Sequence, residues 1–258
     1  MIPIGIVTDF INLPEAVALG YDYAEVSLSA LAALSDAYFD EFAAYCAGNG
    51  IRVSAVNDML PEGLDIVGPG VRATELHDYL KRAFTRCKRL NVRVASLDAA
   101  LNRTVPSGFD YPMAWRQLGN FLRLCQGHAR DCGVVVAVEP LRKADCNLLN
   151  LVSEATLIAG LLQLENIAVA AHFGHMAMAS EPLSALRKAA PLLKHVYIEN
   201  ALTRALPRPG DGEDYGRMLE TLSDIDYGGG ITLCGSITDT FIEDARTALQ
   251  YIRQLGIR

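Results

Sequence analysis

"GVVVAVEP", residues 133–140, is the stretch on which the fold turns. A glycine opens a wholly apolar run rich in valine, which stops on Glu139 and Pro140. Valine favours strand, and a run this short bounded by Gly and Pro reads as a strand rather than a helix. A carboxylate at its end cannot stay unpaired in a core, so Glu139 must meet a cation, a donor or water at an opening.

Outward from this segment the same pattern repeats along the chain. Further strands are expected at 2–7 (IPIGIV), 23–28 (YAEVSL), 51–56 (IRVSAV), 92–98 (VRVASLD), 167–173 (IAVAAHF), 195–200 (HVYIEN) and 230–236 (GITLCGS). Between them lie amphipathic segments such as "DAYFDEFAAYCAGNG", "ATELHDYLKRAFTRCKRL" and "AWRQLGNFLRLCQGHARDCG", with apolar residues at helical spacing. Eight strand–helix units in 258 residues match a (β/α)8 TIM barrel of class α/β, one domain over residues 1–258. An open doubly wound sheet is the rival, but no GxGxxG follows the first strand. No linker rich in Pro, Gly or Ser divides the chain.

A formal net charge of −7 with no basic run opposes binding to nucleic acid or to an anionic membrane surface. No segment approaches the length of a membrane span, and "MIPIGIVTDF" lacks the features of a secretory signal. Six scattered cysteines without a CxxC pair read as reduced core thiols. The expectation is a cytoplasmic protein whose partner is a small molecule.

Barrel active sites gather at the carboxyl ends of the strands. The polar residues there are Glu25, Asn57, Asp98, Glu139, His172, His175, Tyr197, Glu199 and Cys234. Glu139 is expected as a metal ligand or an acid/base group, against the simpler reading of a structural ion pair. His172 and His175 flank "FG", and their spacing alone makes no chelate. His195 and Tyr197 alternate on one strand, so both should point into the barrel, His195 deeper. Arg142, Lys143, Arg204 and Arg208 are candidate anion contacts.

In order and spacing, "GYDYAEVSL" (20–28), "VSAVNDMLPEGLDIVGP" (53–69), "VAVEPLRKADCNLLNLVSEA" (136–155), "HFGHM" (172–176), "LKHVYIEN" (193–200) and "GDGEDYGRMLETLSDIDYGGGITLCGSI" (210–237) resemble the sugar-phosphate isomerase/epimerase superfamily. These are the xylose isomerase-like TIM barrels that include ketose 3-epimerases and hydroxypyruvate isomerases. The resemblance covers most of the chain. It implies a divalent Mn, Mg or Co ion held by Glu, Asp, His and Glu, with the two glutamates moving the proton beside a carbonyl. It also implies that oligomers are common.

Carried over residue by residue, the first Glu is Glu139. The Asp falls on His172, the His on Tyr197 and the last Glu on Cys234, so three of the four positions depart. His175 matches a substrate-side histidine, and Asn147 and Asn150 match a polar segment. A hard cation prefers several oxygen ligands, so the Mn/Mg cage is not expected to be intact.

Three readings follow. In the first, a sugar (phosphate) isomerase or epimerase acts on a small ketose or hydroxy-carbonyl compound. Glu139, His175 and Cys234 are then the candidate catalytic residues, and Asn57, Asn147, Tyr197, Glu199 and Arg204 the candidate substrate contacts. In the second, Glu139, His172 and Cys234 bind zinc, which accepts carboxylate, imidazole and thiolate. In the third, the barrel binds a sugar without turning it over.

Overall fold

The computed structural model describes residues 2–256 and is a closed barrel of eight parallel strands, in sequence order around the ring. The strands are β1 (Ile4–Val7), β2 (Tyr23–Ser27), β3 (Val53–Asn57), β4 (Val94–Leu97), β5 (Val135–Val138), β6 (Ile167–His172), β7 (Leu193–Ile198) and β8 (Gly230–Leu233). All eight expected strands are present. The ring closes where β1 meets β8, with Gly5 opposite Thr232.

The largest displacement from expectation is at β7, which begins and ends two residues earlier than expected. A register shift between Val169 and Ala170 brings Val169 opposite Leu193. At the other end, the Asn200 side-chain oxygen accepts from the backbone N–H groups of Leu202 and Thr203, turning the chain out of the sheet. Glu199 therefore stands just past the strand.

Local chemistry sets the helix ends. Asp110 caps Tyr111–Cys132 by accepting from Met113 N, Pro112 sits in the first turn, and Gly133 closes the helix at φ 70°. Ala73–Leu90 coincides with its expected span and closes on Asn91 in the left-handed region. Ser35 caps Asp36–Gly48 in the same way.

Two cores result. The larger fills the shell between strands and helices, with Phe39, Phe84, Phe173, Phe241 and Tyr215 fully buried. The smaller, inside the ring, holds only Ala137, Ala170, Tyr197 and Cys234 among its buried members. Much of the barrel axis is polar instead. Glu25, wholly buried, accepts from Thr232 Oγ1 at 2.7 Å, meets His195 Nε2 at 2.9 Å and takes a short hydrogen bond from the Tyr197 hydroxyl. Below it, the Tyr23 ring lies against Gly5 and Gly230, where an added Cβ would come within 2.2 and 2.5 Å of it. Among the described residues, no helix is long and apolar enough to cross a membrane.

Candidate active site

A cavity of about 750 Å³ opens at the carboxyl ends of the strands. Asn57, Asp98, Glu139, His172, His175, Tyr197, Glu199, Arg204 and Cys234 all line it. Eight of the nine expected strand-end residues thus share one opening, from Asn57 at the end of β3 round to Cys234 after β8, together with Arg204.

Glu139 extends β5 by one residue. Its Oε2 accepts from Ser96 Oγ at 3.0 Å, and its backbone carbonyl accepts from the buried Arg103 guanidinium at 2.6 Å. Burial, then the charge of Asp98, pushes its carboxyl well above the ordinary carboxylate range. Its Oε1 lies 3.7 Å from His175 Nε2.

The histidine pair has a local origin. His172 ends β6 and caps the short helix Phe173–Met178, its Nδ1 accepting from His175 N at 3.4 Å. The rings lie 4.1 Å apart between centroids. Burial depresses both: His172 well below its ordinary range, and His175 to about 4, with the Arg204 charge adding to each. Both imidazoles are neutral near pH 7. With Nδ1 accepting, the proton of His172 resides on Nε2. That N–H faces Cys234 Sγ at 3.5 Å, and the thiol in turn donates to Ile198 O at 3.6 Å. Burial, then the Glu199 and Glu139 carboxylates, pushes the Cys234 thiol far up, so it is neutral.

Glu199 completes the wall. Its Oε1 is 3.7 Å from His172 Nε2 and 3.7 Å from Arg204 Nε. Burial raises it to about 6, with Arg204 and Arg142 pulling the other way. Gly174 makes room for it: a Cβ there would lie 2.8 Å from Glu199 Cγ. The glycine of "HFGHM" is explained by this close approach.

Other expected contacts fall elsewhere. Asn147 is corrected: it is exposed and does not line the cavity, because its carboxamide bridges Val105 N and O at 2.7 and 3.0 Å. Asn150 is likewise spent on Leu141 O and Cys146 O. Arg142 is paired to Asp145 at 2.8 Å, and neither it nor Lys143 or Arg208 lines the cavity. Glu25 and His195 lie deeper on the axis, beneath Tyr197.

Sequence reasoning missed Ser96 and Asp145. Ser96 has the inward parity of Asp98 in "VASLD", a polar residue in an apolar run, and that parity was the available signal. Asp145 had none, since its partners Arg142 and Arg204 meet only in the folded chain.

A family model described as xylose isomerase-like TIM barrel matches residues 13–256. The chain belongs to that family. No functionally curated protein matches it in sequence. Among solved structures similar to this xylose isomerase-like barrel is a D-psicose 3-epimerase crystallised in the presence of D-fructose, with a TM-score of 0.87 at 20% identity, covering 99% of this chain and 100% of that one. D-psicose 3-epimerase with D-tagatose from Clostridium cellulolyticum H10 gives 0.85 at 20% identity, covering 98% and 99%. The apo form of 3-keto-D-glucoside 4-epimerase from E. coli gives 0.84 at 19%, covering 98% and 100%. At such identities the likeness is one of fold.

The hard-metal cage that the resemblance implies does not fit these residues. Tyr197 commits its hydroxyl to Glu25, and burial then the Glu25 charge push that phenol well above its ordinary range. Cys234 is a neutral thiol, so Glu139 is the one carboxylate left of the four positions.

For zinc, the expected trio of Glu139, His172 and Cys234 is divided. Among the described residues, ligand atoms within 4.8 Å of one another occur in two groups, Glu139 with His172 and His175, and His172 with Glu199 and Cys234. Both need His172, whose Nε2 carries the proton that its capping bond leaves there. A metal at Nε2 would shift that proton to Nδ1, which would then face the His175 N–H with no lone pair to offer.

Proposed function

We propose that this barrel transfers a proton beside the carbonyl of a small ketose or hydroxy-carbonyl compound, as an isomerase or epimerase, with Glu139 and Glu199 as the two proton carriers. One observation carries the reading: two buried carboxyls, Glu139 beside His175 and Glu199 beside His172, line one cavity. Glu199, at about 6, is mostly ionised near neutrality and suits a base. Glu139, pushed well above the ordinary carboxylate range by burial, favours the neutral acid. Paired carboxyls whose environments separate their proton affinities are the usual mark of an acid and a base.

Glu199 thereby takes over the part that the resemblance gave to the position of Cys234. The neutral His172 and His175 between the two carboxyls act as hydrogen-bonding groups for the carbonyl and its neighbouring hydroxyl. Asn57 Oδ1, buried at the cavity wall without a partner among the described residues, supplies an acceptor for a ligand hydroxyl. Abstraction by Glu199 leaves an enediol-type intermediate, and Glu139 returns a proton to complete the reaction. Solvated by these groups alone, the intermediate relies on hydrogen bonding for its stability.

Charge favours a free sugar over a phosphorylated one. The lining carries six carboxyl residues (Asp58, Glu62, Asp98, Glu139, Asp145 and Glu199) against one arginine, Arg204, which already faces Asp145 and Glu199. A phosphate dianion would meet repulsion there.

The test is solvent deuterium exchange into a panel of free ketoses and hydroxy-aldehydes. Label is expected at the carbon beside the carbonyl and is expected to fall at least about a hundredfold in Glu139→Gln and in Glu199→Gln. Undiminished exchange in both variants removes the two carboxyls from the mechanism. Saturable sugar binding by calorimetry without exchange in any candidate supports the second reading, a sugar-binding barrel without turnover, which the altered cage also favours.

A further inference from the structure

The opposite face of the barrel holds a second cavity, of about 440 Å³, whose chemistry is inverted. Arg52 and Arg93 precede β3 and β4 by one residue, and Lys194 is the second residue of β7, so all three stand at the amino ends of the strands. All three line this cavity, and none forms an ion pair among the described residues. In a chain of net charge −7, three unpaired cations around one opening are not explained by composition.

The interior end of the cavity points the same way. His195 lines it and is 1% exposed. Its Nε2 is engaged by Glu25 at 2.9 Å and lies 3.1 Å from Thr232 Oγ1, which holds the ring at the inner end of the cavity. Gly228 and Gly229 enter β8 along the wall, and neither backbone N–H donates to a protein acceptor among the described residues. Gly229 stays bare because a Cβ would fall 2.3 Å from Tyr227 Oη and 2.8 Å from Lys194 O. The one acidic lining residue, Asp22, has an oxygen already accepting from Ile4 N at 2.8 Å.

We propose that this lower cavity is a binding site for a phosphate-type dianion, free or as the phosphoryl group of a small metabolite. Guanidinium forks, an ammonium and uncovered backbone N–H groups are the donor set that recognises such an anion. The proposal does not depend on the proton-transfer reading of the upper cavity, whose lining rejects the same anion.

The experiment titrates the full chain with inorganic phosphate by calorimetry, balancing ionic strength with sodium chloride. A parallel arm with a simple sugar phosphate identifies whether the free ion or the phosphoryl group is preferred. Saturable binding is expected, weakened by about tenfold or more in Arg52→Ala/Arg93→Ala and unchanged in Arg204→Ala, which alters only the upper cavity. The two arginines are exposed, and circular dichroism of the double variant checks that the barrel is intact. The His195 ring resonances, assigned with His195→Asn, should shift as phosphate saturates. Binding that survives the double variant, is lost with Arg204→Ala, or never saturates at constant ionic strength overturns the proposal.

Discussion

Replacing Glu199 by Gln should stabilise the barrel, and by an amount that depends on pH in a defined direction. The carboxyl stands at about 6 against an ordinary 4.5, chiefly because burial penalises its charged form, and that net value already includes the attraction of Arg204 and Arg142. At about 1.4 kcal/mol per pH unit, the difference corresponds to about 2 kcal/mol. A raised value means that the folded state holds the proton more tightly than the unfolded chain. Glu199 therefore costs nothing below about pH 4.5, and its penalty grows as pH rises to its folded value of about 6, where it becomes complete. Gln is neutral throughout and keeps the shape. Urea unfolding of both proteins between about pH 4 and about pH 8 should show curves that coincide at the acid end and separate to about 2 kcal/mol in favour of the variant at the other. A difference that is flat with pH, or that favours the wild type above pH 6, would refute the account of Glu199 as a strained buried base. The same substitution should abolish exchange, so stability and activity would move in opposite directions.

Gly174→Ala should cost about 1–3 kcal/mol by urea unfolding, since the new methyl meets Glu199 Cγ at 2.8 Å, and most of that cost should vanish in a Glu199→Ala background. If the cost persists there, the glycine serves some other neighbour. Iodoacetamide labelling followed by peptide mass spectrometry should find Cys132, the one half-buried cysteine, modified well before the buried Cys234, whose thiol burial and carboxylates keep protonated. Rapid alkylation of Cys234 would mean that it is a thiolate. Glu25→Ala should lose about 3 kcal/mol or more, because Tyr197, His195 and Thr232 lose a buried acceptor at once. An unchanged unfolding midpoint would show that the network rearranges without loss.

The barrel was legible because each strand is a short apolar run bounded by a glycine, a proline or a polar end, and eight such runs leave few topologies. Glu139 was legible for the same reason: a carboxylate closing an all-apolar run has nowhere to go but an opening. Glu199 was named as a substrate contact, yet its candidacy as a base rests on Gly174 making space and on Arg204 arriving from a loop, neither of which has a sequence signature. Asn147 misled for the converse reason. The resemblance gave it only as part of a polar segment after the first Glu, but its partner Val105 sits 42 residues away and claims both ends of the carboxamide. Cys234 looked like a catalytic residue or zinc ligand by chemical type. Its neighbours His172 and Ile198 O, which satisfy it as a thiol, come from two other strands.

The buried Glu25 cluster means that hydrocarbon is largely absent from the tube itself and concentrated in the jacket around it. What keeps the molecule folded and what lets it do chemistry are therefore lodged in different layers of the same wall. Residues of the inner layer, such as His172, Tyr197 and Cys234 at the positions where the resemblance implies metal ligands, can therefore change without drawing on the outer one. The chemistry of the opening can thus be altered by substitution while the skeleton stays put.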